Sequence, residues 1–261
     1  MFYPHNFEQK IGFDSIRLLI KEKCLSPLGK EETDRMEFSP DFDTVLTHIS
    51  QTDEFLQLLG NSDEFPIHYF FDVRDGLKRI RIEGTWLDET ELFNLSRSLE
   101  TIEAIIRFFQ NTEPEQYIYL KKIVSDVLAF PLITKEINAV LDKFGKVKDN
   151  ASPELARIRK EIITVQSSVS KSLASILRSA QADGFVEKDV TPTMRDGRLV
   201  IPMSPAFKRK IRGIVHDESA SGKTVFIEPA EVVEANNRLR ELESEERREI
   251  ISFSTSTTQT S

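Results

Sequence analysis

The chain has 261 residues, 39% hydrophobic and 30% charged, with a net charge of −8 and one cysteine, Cys24. That is apolar material for one large or two modest cores. No apolar run nears the roughly 18 residues that span a bilayer, the start MFYPHNFEQK lacks the basic-then-apolar layout of a signal peptide, and one cysteine forms neither an internal disulfide nor a thiolate zinc cluster. The expected setting is therefore the reducing cytoplasm, with no membrane partner. The histidines are scattered without ligand spacing, so no metal is assigned.

From Phe7 to Lys143 the pattern is helical, with apolar residues three and four apart broken by Pro, Gly and Asp stops. Ile11, Leu18 and Leu19 run to Ser26-Pro27. Val45, Ile49, Phe55, Leu56 and Leu59 run to Gly60, and Leu87 to Phe109 is one long amphipathic stretch. These stripes are expected to face a core packed largely by phenylalanine. The carboxylate pairs Glu31-Glu32 and Asp88-Glu89 are read as early-turn residues favoured by the helix dipole, not as catalytic groups. Residues 1–150 thus form a helical core domain.

Pro153 to Ala182 contains no Gly or Pro after its first turn and predicts one long helix of about 45 Å. Leu155, Ile158, Ile162, Val165, Val169, Leu173, Ile176 and Ala180 form a seam along it. Val232, Ala235, Leu239 and Leu242 supply the partner seam on a second helix from about Pro229 to Ile251, with Glu234–Arg238 and Glu243–Arg247 as i,i+4 pairs.

Between them, 184–229 holds the β signals. These are Phe185-Val186, the turn Arg195-Asp196-Gly197-Arg198 into Leu199-Val200-Ile201-Pro202, and Lys210 to Val215 followed by Thr224 to Ile227. The fold class is mainly α: a helical core plus an antiparallel helical arm, residues 151–251, carrying a small antiparallel β element at its tip. Residues 252–261, SFSTSTTQTS, are a polar tail expected to be disordered.

Gly222-Lys223-Thr224 has the ending of a phosphate-binding loop, but Asp217 stands where the first glycine of G-x-x-x-x-G-K-[ST] is needed. The tripeptide also precedes a strand-like run rather than a helix. It is read as a hairpin loop, and no ATP site is assigned.

Charge is uneven. Residues 1–150 hold 18 Lys and Arg against 27 Asp and Glu, whereas 151–261 hold 17 against 16. Within Lys188 to Ile214, seven basic residues face two acidic ones, and a polyanion would land there. The candidate phosphate contacts are Arg195, Arg198, Lys208, Arg209, Lys210, Arg212 and Lys223. A solvated hairpin face is the bland alternative.

RDGRLVIPM, KIRGIVHDESASGKTVFIEP and VVEANNRLRELESEERREI resemble the arm and clamp of the bacterial MutS paralogues that lack the mismatch-sensing domain, the anti-recombination branch of the DNA mismatch repair family. DVRDGLKRIRIEGTWLDETELFNLSRSL and IGFDSIRLLIKEKCLSPLGKEE resemble the same family's core. The resemblance covers about residues 7–251, and the clamp stretch is its specific part.

The resemblance implies lever helices carrying a clamp, an ATPase domain that dimerises with ATP and Mg as cofactors, and a C-terminal nuclease. Neither a Walker loop nor ATPase strands follow Ile251, so this chain is expected to bind without catalysing and to hold no cofactor itself. The implied target is duplex or branched DNA, gripped by its backbone. The family's link to splitting collided ribosomes keeps ribosomal RNA open as the alternative, and a purely structural coiled-coil scaffold is a third reading. A homodimer is implied for the full-length family protein.

Overall fold

The computed structural model describes residues 6–61 and 65–259. The chain is mainly α with one small antiparallel sheet. It divides into two compact units, one of residues up to Val147 together with the chain's end from Ser254, and one from Lys148 to Phe253.

The first unit holds α1 (Phe7–Lys10), α2 (Phe13–Lys23), α3 (Pro27–Asp34), α4 (Phe42–Asn61), α5 (Arg74–Arg79), α6 (Glu89–Gln110), α7 (Ile118–Val124) and α8 (Pro131–Val140). Helix α6 starts at Asp88 through a reciprocal cap: the Asp88 carboxylate accepts from the Glu91 N–H at 2.8 Å, and the Glu91 carboxylate accepts from the Asp88 N–H at 2.9 Å. Glu54 of α4 caps α7, accepting from the N–H groups of Tyr119 and Leu120. Leu58, Leu87, Leu92, Phe109, Ile137 and Leu141 form the core. Phe65 packs edge-on against Phe55, Phe108 and Phe109 beside them.

Two expectations fail here. Ile11, Leu18, Leu19, Ile49 and Leu56 do not face this core, each being about 60% exposed. Periodicity marks an apolar face of a helix without saying what covers it. Glu31 and Glu32 lie in the later part of α3, not its first turn, and pair with Arg74 and Arg35.

The second unit holds α9 (Pro153–Ala182), β1 (Thr193–Arg195), β2 (Arg198–Met203), β3 (Gly213–Glu218), β4 (Val225–Pro229) and, as far as Phe253, α10 (Val233–Gln259). Ser152 caps α9 by accepting from the Leu155 N–H at 2.9 Å, Pro153 takes the first helical position, and the same hydroxyl donates to Glu249 of α10 at 2.8 Å. Arg159 pairs with Glu246, Arg157 with Glu245 and Glu161 with Arg238. From Ser152 to Glu161 along the start of α9 the partner moves back along α10 from Glu249 to Arg238, so α9 and α10 run antiparallel.

Arg238 makes no pair with Glu234. It reaches across to Glu161 at 2.8 Å and along its own helix to Glu241 and Glu245. The neighbouring helix offered a carboxylate that a single-helix reading could not see.

Most of the seam is buried along its whole length: Leu155, Ile158, Val169, Leu173 and Ala180 on α9, with Leu239 and Leu242 on α10 and Val232 just before it. Ile162, Val165, Ile176 and Ala235 are partly buried against the same cluster.

Phe185-Val186 is not a strand. Gly184, at φ 75°, ends α9 in the left-handed conformation, its N–H bonding to Gln181 O and the Phe185 N–H to Ala180 O at 2.8 Å. This is a Schellman stop, which places Phe185 as the apolar residue after the glycine. The sheet, in order β1-β2-β4-β3, therefore begins only at Thr193.

Residues 252–259 are helical, contrary to the disordered tail expected of them; positions 260–261 lie outside the described residues. Ser and Thr are poor helix formers, yet no Gly or Pro interrupts the run. Extending an existing helix costs far less than nucleating one.

Candidate nucleic-acid interface

The two faces of the sheet differ. Leu199, Ile201 and Met203 of β2 and Val225 and Ile227 of β4 point into the cluster shared with α9. By strand alternation Arg198, Val200, Phe226 and Glu228 point to the other side. The β1–β2 connection is the expected two-residue turn, with Asp196 at φ 47° and Gly197 at φ 72°. It sets Arg195 opposite Arg198 on this second face.

These two arginines have different fates. The exposed Arg195 lies over the ring of buried Phe226, 4.2 Å from its centroid. Arg198 turns inward, its Nη1 donating to Glu228 Oε1 at 2.7 Å and its Nη2 to Asn237 Oδ1 at 2.7 Å. Glu228, with no solvent exposure, also meets His216 Nε2 and accepts from Asn236 Nδ2 at 2.8 Å. Asn236, equally buried, donates to the Leu199 carbonyl at 3.2 Å.

This cluster ties β2, β3 and β4 to α10. Burial pushes the Glu228 carboxyl up, but hydrogen bonds from Asn236, His216 and Arg198, with the Arg198 charge, outweigh it and hold the group below its ordinary value. Arg198 is therefore withdrawn from the phosphate-contact set: its guanidinium balances a buried carboxylate. The sequence displayed His216 and Glu228 at the two ends of one hairpin. Their meeting depends on the irregular register between Val215 and Asp217, which puts His216 in a bulge.

The remaining cations sit on turns. After β2, a 3-10 turn over Pro205–Phe207 leads to the exposed Lys208, Arg209 and Lys210, with the Lys210 N–H bonding to Phe207 O at 2.8 Å. Phe207 and buried Ile211 anchor this turn at both ends. Lys210 Nζ lies 5.2 Å from the centroid of the Phe185 ring. Arg212 is exposed, and its carbonyl accepts from the Ala230 N–H at 2.9 Å. Among the described residues, none of Arg195, Lys208, Arg209, Lys210, Arg212 and Lys223 has a carboxylate within ion-pair distance.

Gly222-Lys223-Thr224 occupies the β3–β4 hairpin loop. Gly222 has φ 66°, its N–H bonds to Ser219 O at 2.7 Å, and the Ser219 N–H bonds to Thr224 O at 2.8 Å. The loop leads into β4, so no helix N-terminus follows the lysine as it does in a phosphate-binding loop. Among the described residues no cluster of three or more His, Cys, Asp or Glu could hold a metal ion, and no helix is long and apolar enough to cross a membrane.

No protein-family model matches the chain. It is similar to proteins named Endonuclease MutS2. The relative from Geobacillus sp. is 34% identical over 242 residues, 92% of this chain and 31% of the relative. That from Pelotomaculum thermopropionicum is 36% identical over 225 residues, 86% of this chain and 28% of the relative. The chain thus spans about a third of the length of these relatives. The similarity covers nine-tenths of this chain, both units included.

Proposed function

We propose that the second unit is a clamp that grips a nucleic-acid backbone without reading its sequence, carried at the end of α9 and α10 acting as lever helices. The reading rests on one observation: six exposed cations, Arg195, Lys208, Arg209, Lys210, Arg212 and Lys223, lie on the sheet and its turns with no carboxylate partner among the described residues. On the helices Arg157, Arg159 and Arg238 are neutralised by glutamates. Lys160, Lys171, Arg178, Arg240, Arg247 and Arg248 are exposed there and, among the described residues, also outside ion-pair distance of a carboxylate, so it is the concentration of cations on the sheet and its turns that singles out this region. In this reading they contact phosphates, and such contacts position a protein on a duplex while carrying no base information. Arg198 and Glu228 hold the strands that present them.

In this reading the target is duplex or branched DNA in the cytoplasm. Catalysis and dimer formation belong to ATPase and endonuclease regions of a longer MutS2-like protein, with ATP and Mg bound there. Ribosomal RNA is the alternative polyanion, since phosphate contact alone does not separate the two. Fluorescence anisotropy of labelled duplex DNA and structured RNA over a range of salt tests the proposal. Binding that weakens with salt and ignores sequence supports it, and salt-independent binding contradicts it.

A further inference from the structure

A cavity of about 420 Å³ opens beside the cationic turn, between the end of α9, the end of β2 and the β3–β4 loop. Its volume falls within the roughly 300–1,000 Å³ usual for sites that hold small organic groups. Phe185 and Phe207 line it, with Met203, Val190, Lys223 and Glu187. The two rings are half-buried, their centroids 5.7 Å apart and their planes 36° apart, so they form a splayed wall and do not stack flat on one another. Lys210 Nζ stands over the Phe185 ring at 5.2 Å, and Lys223 closes the loop side.

Each feature narrows the ligand. A free phosphate has no use for two aromatic rings, and an apolar side chain has none for the Lys223 ammonium in the lining or the Lys210 ammonium beside it, on the Phe185 ring. A flat π-system attached to an anion uses both, since bases stack on aromatic rings while lysines track the adjoining phosphate. Glu187, the carboxylate in the lining, disfavours a ligand that is anionic over its whole surface and tolerates the neutral base of a nucleotide.

Building on the clamp reading above, we propose that this cavity takes one unstacked nucleotide, its base against Phe185 and Phe207 and its phosphate toward Lys210 and Lys223. The clamp then distinguishes nucleic acid with unpaired nucleotides from fully paired duplex, which offers no free base face. This adds a structural preference to a contact that is otherwise indifferent to sequence.

The experiment compares a duplex with the same duplex carrying a single-stranded extension, by anisotropy at one low salt concentration with the whole chain. One stacked base should tighten binding by roughly 5- to 150-fold. Phe207→Leu, which keeps apolar volume under the turn, should remove most of that preference, read as the ratio of the variant's own affinities for the two DNAs. As Phe207 also packs on the core, the unsubstituted protein supplies an independent readout: 5-iodouracil in the extension should photocrosslink to Phe185 or Phe207, located by mass spectrometry of the peptides. Equal affinity for the two DNAs, or crosslinks only elsewhere, overturns the pocket while leaving backbone gripping intact. Failure to bind either DNA overturns the clamp reading itself.

Discussion

Arg198 Nη1 donates to Glu228 Oε1 at 2.7 Å beneath the sheet, the carboxylate fully buried and the arginine side chain 15% exposed. This pair separates a structural arginine from its neighbours on the basic segment. Arg198→Ala should lower stability by about 3–5 kcal/mol, because it strands a buried carboxylate. Arg198→Gln, assayed where it is still folded, should leave the salt dependence of nucleic-acid binding unchanged. Thermal melting and anisotropy read the two effects separately.

The same carboxylate sets an acid limit. Glu228 is held below its ordinary value of 4.5 when folded, so its contribution is present above the unfolded value and is lost as pH falls through the folded one. Stability of the parent should drop as pH descends below about 4.5. Glu228→Gln should be less stable near neutrality and show a flatter decline over that acid range. Denaturant melts from pH 7 to pH 3 check both.

Gly213 opens β3 opposite Pro229. A Cβ there would lie 2.0 Å from the backbone oxygen of Glu228, which cannot swing away as a side chain would. Gly213→Ala should therefore pry β3 from β4 and cost at least about 1–3 kcal/mol, as overpacking does. Faster proteolysis within the hairpin loop, with α9 still protected, is the expected pattern.

The second unit depends on its buried apolar contacts. Leu173 and Leu242 have no solvent exposure. Truncating either to alanine should destabilise the unit by about 2–5 kcal/mol, the range for a buried leucine. Ile163, 67% exposed on the same helix, should tolerate the change within about 0.5 kcal/mol. Chemical denaturation of the three variants tests the seam.

Local chemistry was readable in advance. The Asp196-Gly197 turn, the hairpin loop at Gly222, the thirty-residue α9 and its buried seam all follow from short-range rules. Contacts set by register and by neighbouring helices were not. The buried role of Arg198 needs β2 beside β4 and a bulge at His216, and the attachment of Arg238 to Glu161 needs α10 laid against α9. Phe185 carried a strand-like signal but serves as the residue after a helix stop. The stripes of α2 and α4 announced amphipathic helices correctly, while the surface that would bury Leu18, Leu19 and Ile49 is not provided by the described residues.

The central claim is that the cationic turns, and not the acidic first unit, carry polyanion affinity. Its most direct measurement is the salt dependence of duplex binding for the parent and for a variant with Lys208, Arg209 and Lys210 changed together to Gln. If three to five of the six exposed cations displace counterions, log affinity should fall against log salt with a slope of about −3 to −4.5 in the parent. The triple variant should flatten that slope by up to about three units, and replacing Lys78 and Arg81 of the first unit should not alter it. A slope unchanged in the triple variant, or one abolished by Lys78 and Arg81, would contradict the account.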